Sequence, residues 1–265
     1  MTDASFVLTT RWQARGGRTR LAVQEEVRPD HARPWLIFIH GHNVDRAYAL
    51  EQWRVLRRTL HVPAQLQVGL FLWPSDLWRN RTMSKLAYPA VTERAANVGR
   101  ILASYLGPRN DRVILIGHSL GALVAVNAAR ELLPERQPLQ AFVLLGAAIA
   151  VDDMTWPGEF HRVPLAGREA VGFCPEDRVL RSVFRPGQRF ARLFRRASEA
   201  VGLHGEPREA RDWLARRTRV SDHSYWRSEE SAALVSEVLT APPTGRAPDS
   251  WTLRDWPVPG WDVPG

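Results

Sequence analysis

Val113 to Gly121 read V-I-L-I-G-H-S-L-G, and Ala122 to Arg130 continue as A-L-V-A-V-N-A-A-R. A short apolar run stops at a glycine-flanked serine, and a helix-forming pattern starts within the same turn. That is the pattern of a nucleophile elbow, G-x-S-x-G, in which a strand reverses sharply into a helix. The turn holds its serine in a strained backbone conformation with the hydroxyl above the strand ends. Gly117 and Gly121 suit it, because a Cβ at either position would collide with the neighbouring strand or helix. Ser119 is therefore the candidate nucleophile, set against a plain strand-to-helix turn.

Strands and helices alternate on both sides of this turn. Upstream, Pro34 precedes W-L-I-F-I (35–39), an unbroken apolar run of the kind buried on both faces of a parallel sheet, and the run ends in H-G-H-N. Asp45 is placed to cap a helix to about Leu60, with Leu50, Trp53, Leu56 and Leu60 at helical spacing. A second run, L-Q-V-G-L-F-L-W (66–73), stops at Pro74. Val91, Ala95, Val98, Ile101, Leu102 and Tyr105 then form one helical stripe over 91–106. Downstream lie A-F-V-L-L-G-A-A-I (141–149), E-A-V-G-F-C (169–174) and a last helix over roughly 227–240. At the start, F-V-L-T-T-R-W (6–12) and T-R-L-A-V-Q-E-E-V (19–27) flank Gly16-Gly17 as an antiparallel hairpin. The series predicts an α/β fold, a mostly parallel central sheet with helices on both faces, in one domain over 1–240. A Pro/Trp-rich tail (241–265) is expected to lie extended or be mobile.

Residues 178–216 fit the alternation least well, and a lid or inserted helices are among the readings open there. Phe190, Leu193, Phe194, Ala197 and Val201 make an apolar stripe among arginines. An ordinary surface helix is preferred over a basic lid or a membrane-surface contact through 184–201.

Composition narrows the class. The 45% hydrophobic content of 265 residues supports one real core. No apolar stretch reaches the ~18 residues of a membrane span, and the opening M-T-D-A-S-F-V-L-T-T-R-W has neither a basic leader nor a small-residue cleavage site, so a cytoplasmic product is expected. The single cysteine, Cys174, excludes an internal disulfide and a cysteine-based metal cluster, and its apolar setting V-G-F-C-P reads as a buried thiol. The net charge of +8 is nearly all arginine and comes with no nucleic-acid-binding signature, so no nucleic-acid partner is expected.

A serine hydroxyl needs a base within hydrogen-bond reach and a carboxylate to orient that base. On this type of sheet the chain order is serine, acid, histidine, with the sites outside the carboxyl ends of successive strands. Of eight histidines only His161, His204 and His223 follow the elbow. His161 precedes Asp177 and would reverse the order, and His204 lies in the polar turn G-L-H-G-E. His223, in S-D-H-S-Y-W ahead of the last helix, is the preferred base. Asp177 directly follows a strand, behind the turn-forming Pro175, and is the preferred acid; Asp152 and Asp153 after the preceding strand are its rivals, with helix capping the alternative role for both pairs. Two backbone N–H groups should face the developing oxyanion: that of Leu120, just past the nucleophile, and that of His42, after the glycine of H-G-H-N. His40, His42 and Asn43 lack a carboxylate partner in their loop, so loop structure explains them better than a metal.

These motifs together resemble the α/β-hydrolase superfamily, and more narrowly a bacterial α/β-hydrolase family of uncharacterised function. Five spaced matches carry the resemblance: F-I-H-G-H-N-V (38–44), F-L-W-P-S (71–75), H-S-L-G (118–121), D-R-V-L (177–180) and H-S-Y-W (223–226). The resemblance implies Ser119, Asp177 and His223 as nucleophile, acid and base, and Trp73 and Pro74 as packing or pocket-wall residues. Tryptophan ending the last motif, and the arginine-rich segment before it, depart from the pattern. The expected activity is cofactor-independent hydrolysis of a carboxylic ester on a small-molecule or lipid-like acyl substrate. Acyl transfer, thioester or amide cleavage by the same triad is the alternative, as is a binding protein that kept the fold and lost the chemistry.

Overall fold

In the computed structural model the apolar runs are strands β1 (Phe6–Arg15), β2 (Arg18–Val27), β3 (Trp35–Ile39), β4 (Gln67–Leu72), β5 (Val113–His118), β6 (Ala141–Leu145) and β7 (Glu169–Phe173), joined by β8 (Leu214–Arg217). The structure describes residues 6–15, 18–75, 88–107, 112–132, 139–155, 158, 160, 165–187, 198–207, 213–220 and 222–240. The strands form one eight-stranded sheet in the order β2-β1-β4-β3-β5-β6-β7-β8. β1 and β2 are antiparallel and the remaining neighbours are parallel. With the helices α1 (Arg46–Thr59), α2 (Tyr88–Leu106), α3 (Leu120–Leu132), α4 (Val151–Met154), α5 (Val201–His204) and α6 (Glu229–Thr240), this is an α/β-hydrolase fold.

The unbroken apolar strands are explained by two cores. Because side chains alternate across a strand, Trp35, Ile37 and Ile39 join the core built with Val98 and Leu102 of α2 and Val124 and Ala128 of α3. Leu36 and Phe38 join the opposite core, with Trp53 and Leu56 of α1 and Leu234 and Val235 of α6. Each such side chain contributes on the order of 1.5–3 kcal/mol by leaving water, so every position of a central strand favours an apolar residue. α1 begins where the sequence predicts: the Asp45 carboxylate accepts from the Tyr48 N–H at 2.8 Å, and Arg57 and Arg58 complement the dipole in its last turn.

Parallel register puts one set of strand ends on a common edge. Ile39 lies beside Gly117 and Phe71, His118 beside Leu145, Leu145 beside Gly172, and Phe173 beside Arg217. The loops after β3, β5, β6, β7 and β8 therefore leave from the same edge of the sheet, the place where such folds bind ligands.

Several expectations lie outside the described residues: His161, the tail 241–265 and most of the arginine-rich stripe. Within 178–216 the chain forms a π-helix at Leu180–Phe184, then α5 and β8. No described helix is long and apolar enough to cross a membrane.

Candidate active site

Ser119 has a φ of 54°, a left-handed conformation rare for a residue with a Cβ. Its N–H donates to the Leu145 carbonyl at 3.0 Å, and its own carbonyl accepts from Ala122 and Ala148 at 3.1 Å each. These bonds to β6, the loop beyond it and α3 hold a turn that costs on the order of 1–3 kcal/mol. Both glycines are required by space, as the sequence implies. A Cβ on Gly117 would lie 2.6 Å from the Ala122 Cα, and one on Gly121 would lie 2.3 Å from the Ile39 carbonyl oxygen. Leu120 is the first residue of α3, where a helix has no partner of its own for the N–H.

Asp177 is fully buried just beyond the end of β7. One carboxylate oxygen accepts from the N–H groups of Val179 (2.9 Å) and Leu180 (3.0 Å), capping the turn that opens into the π-helix. The other oxygen bonds His223 Nδ1 at 2.6 Å. A carboxylate only accepts, so Nδ1 carries the proton, and in the neutral ring Nε2 holds the lone pair. Nε2 is buried and has no hydrogen-bond partner, so the Ser119 hydroxyl is not bonded to it in this conformation. The rival groups are elsewhere. Asp152 and Asp153 occupy the first turn of α4, and His204 ends α5, half-exposed and paired with Glu199.

His223 also has a left-handed backbone, with φ 70°. Asp222 builds a turn around it by accepting from the Ser224 N–H (3.1 Å) and hydroxyl (3.0 Å). Buried Tyr225 and Trp226 then anchor the segment, Trp226 lying edge-on to the ring of His118 at 4.9 Å. Burial first, and the Asp177 charge second, push the Tyr225 phenol far above its ordinary range, so it stays protonated. Burial, reinforced by His223, holds His118 well below the usual histidine range.

The H-G-H-N loop reaches the elbow from the other side. A Cβ on Gly41 would meet the Ser119 Cβ at 2.8 Å, so glycine lets this backbone come up against the elbow serine. His40 Nε2 accepts from the Trp73 N–H at 3.2 Å, leaving Nδ1 to donate to the Gly41 carbonyl at 3.0 Å. The Trp73 indole N–H donates to the His40 carbonyl at 2.8 Å. His42 Nδ1 donates to the Ser75 carbonyl at 2.8 Å. These bonds tie both histidines into the loop, and no group of three or more metal-ligating side chains occurs among the described residues.

Ser75, missed in the sequence reading, is the pin of this loop. Its carbonyl also accepts from the Asn43 N–H at 3.2 Å, while its buried hydroxyl accepts from the Val44 N–H (3.2 Å) and donates to the Val44 carbonyl (3.3 Å). Its position directly after Trp73-Pro74 at a strand end was the available signal.

A cavity of about 540 Å³ opens nearby, lined by Cys174, Glu176, Arg217, Thr218 and Arg219. It borders the Asp177 loop but takes in neither Ser119 nor His223. Cys174 is buried as expected; burial raises its thiol pKa, and the thiol donates to Glu176 at 3.4 Å.

The fold and this edge define the chain as a member of the α/β-hydrolase fold class. A model of the DUF726 family, described as a protein of unknown function, matches residues 44–194, more than half of the chain, and the protein belongs to that family. The matched region contains Ser119 and Asp177 and stops short of His223. No curated protein sequence matches the chain significantly. Among solved structures it is similar to EstE1, a thermophilic carboxylesterase cloned from a metagenomic library, at 13% identity over 88% of this chain and 90% of that one, with a TM-score of 0.47. It is also similar to the RedJ thioesterase of the prodiginine pathway of Streptomyces coelicolor (13% identity, 78% and 87% covered, TM-score 0.44). An esterase of Pyrobaculum calidifontis has 15% identity, with 88% and 83% covered and a TM-score of 0.45.

Proposed function

We propose that the protein is a serine hydrolase that cleaves a carboxylic ester, esterase-like or lipase-like, through an acyl-enzyme on Ser119. The observation that carries this reading is the 2.6 Å bond from His223 Nδ1 to buried Asp177, which leaves an unpartnered, buried Nε2 in the loop packed against the elbow. A base ordered in that way has its lone pair on the nitrogen that a nucleophile must reach. Catalytic hydrogen bonds of this kind commonly tighten only when substrate binds.

In the proposed reaction the Ser119 oxygen attacks the ester carbonyl while Nε2 of His223 takes its proton. Asp177 stabilises the imidazolium, and the backbone N–H groups of Leu120 and His42 hold the oxyanion. The proton then passes to the departing alcohol. Water, deprotonated by His223, releases the acid and restores the serine. The loop holding His42 is well suited to this role because Gly41 lies against Ser119, and Ser75 ties down Asn43 and Val44 on its far side.

The test is reaction with a fluorophosphonate probe alongside turnover of esters of graded acyl length. The expected result is one label per chain on the wild type, none on Ser119→Ala, and loss of turnover in that variant. A folded wild type that refuses the label, or Ser119→Ala that still turns over esters, would sink the proposal.

A further inference from the structure

We infer that His118, the residue before the nucleophile, is a positioning residue: its imidazole N–H grips the backbone of His223 and so sets where the base stands relative to Ser119. The inference rests on the hydrolase reading for its catalytic consequence, although the geometry stands apart from it.

His118 is the last residue of β5, only 4% exposed, and its Nε2 lies 3.1 Å from the carbonyl oxygen of His223. A carbonyl has no proton to give, so Nε2 is the donor. The ring centroids of the two histidines are 4.8 Å apart, with Tyr225 at 6.1 Å and Trp226 at 4.9 Å around His118. Nδ1 is buried without a hydrogen-bond partner on the side of Gly41, where an added Cβ would come within 3.1 Å of it. A proton there would have no acceptor, and burial disfavours the charged ring. His118 is therefore a fixed single donor, pointed at one carbonyl.

That carbonyl belongs to a residue with a φ of 70°. A non-glycine residue keeps such a conformation only when its surroundings over-determine it, at a cost on the order of 1–3 kcal/mol. The side chain of His223 is tied to Asp177, and the preceding turn is closed by Asp222, but neither contact fixes the distance to Ser119. The His118 bond does. It links the residue adjoining the nucleophile to the main chain of the base across 105 positions of sequence. On its Nδ1 side the same ring lies beside Gly41, in the loop proposed to supply an oxyanion donor, so it is a common reference for the parts that must meet.

A packing role alone would need only a ring of this size, and substitution separates the two. His118→Phe and His118→Met fill the space without a donor, so either folded variant serves; His118→Gln keeps an N–H near the position of Nε2. The expected result is a fall in kcat of about 10²-fold in the donorless variants with KM little changed, and a kcat close to wild type in His118→Gln. By proton NMR, the downfield resonance of His223 Nδ1–H, assigned by its absence in Asp177→Asn, should persist in the wild type and His118→Gln. It should broaden or vanish in the donorless variants while their melting temperatures hold. Equal impairment of His118→Gln and His118→Phe, or a wild-type kcat and resonance in His118→Phe, would overturn the inference. If the wild type cleaves no ester, the hydrolase reading fails, and the NMR comparison alone still decides for or against His118.

Discussion

The loop after β3 comes up against Ser119 and the loops after β7 and β8 join each other beside His118, yet they are held in opposite ways. In the first, the polar atoms that shape the turn are paired: both ring nitrogens of His40, the indole of Trp73, and the hydroxyl and carbonyl of Ser75. In the second, a buried carboxylate fastens an imidazole whose remaining nitrogen has no partner, and the neighbouring His118 also keeps a nitrogen unpaired. Each buried unsatisfied atom costs on the order of 1–3 kcal/mol. The upstream loop is tied down through its polar atoms; the downstream side keeps a buried, unpartnered ring nitrogen on His223, where the proposed reaction takes up a proton.

That contrast can be broken most severely on the downstream side. Asp177→Asn keeps a side-chain oxygen to cap Val179 and Leu180, so the fold should survive with a similar melting temperature. It removes the charge that fixes the His223 tautomer, and kcat for ester cleavage should fall by about 10⁴-fold. Near-wild-type turnover would make Asp177 only a helix cap. Upstream, Gly41→Ala brings a methyl within 2.8 Å of the Ser119 Cβ, and displacement of the elbow should lower kcat/KM by about 10²-fold. Unchanged kinetics would separate this loop from the reaction.

Smaller effects sharpen the comparison. Ser75→Ala orphans the buried Val44 N–H, so thermal or denaturant unfolding should register a loss of roughly 1–3 kcal/mol, together with a modest loss of kcat and intact fluorophosphonate labelling. At the opposite edge of the sheet, Glu169 at the start of β7 accepts from the Ala166 N–H at 3.1 Å, and burial pushes its carboxyl up to about 7 from 4.5. The folded state therefore holds this proton more tightly than the unfolded chain. Its stabilising contribution is complete below about pH 4.5 and is lost as pH rises to about 7, a span of up to about 3 kcal/mol. Unfolding curves of wild type and Glu169→Gln should diverge across that window and run parallel above it, with kcat alike in both. Parallel curves throughout would show that burial does not govern this carboxyl.

The elbow, the central strands and the Asp45-capped helix were legible because each is written locally, in a glycine spacing, an apolar run or a capping residue. Asp177 and His223 were legible for another reason: chain order and strand ends leave few acids and bases able to reach the edge, and the structure joins those two at 2.6 Å. β8 was not legible. L-A-R-R is an edge strand of four residues, half of them arginine, and only pairing with β7 makes it extended. Ser75 and His118 were hidden because their partners lie 31 and 105 positions away. No periodicity connects such residues; only the register of the sheet does.

The central claim is that these loops meet to make Ser119 a nucleophile. Rapid mixing with an activated ester, with intact-mass and peptide analysis of the quenched protein, tests it most directly. The expected result is a burst of released alcohol with an amplitude near one per chain and an acyl group on the peptide that contains Ser119, both absent in Ser119→Ala. An adduct mapped to another residue, or a burst that survives Ser119→Ala, would contradict it.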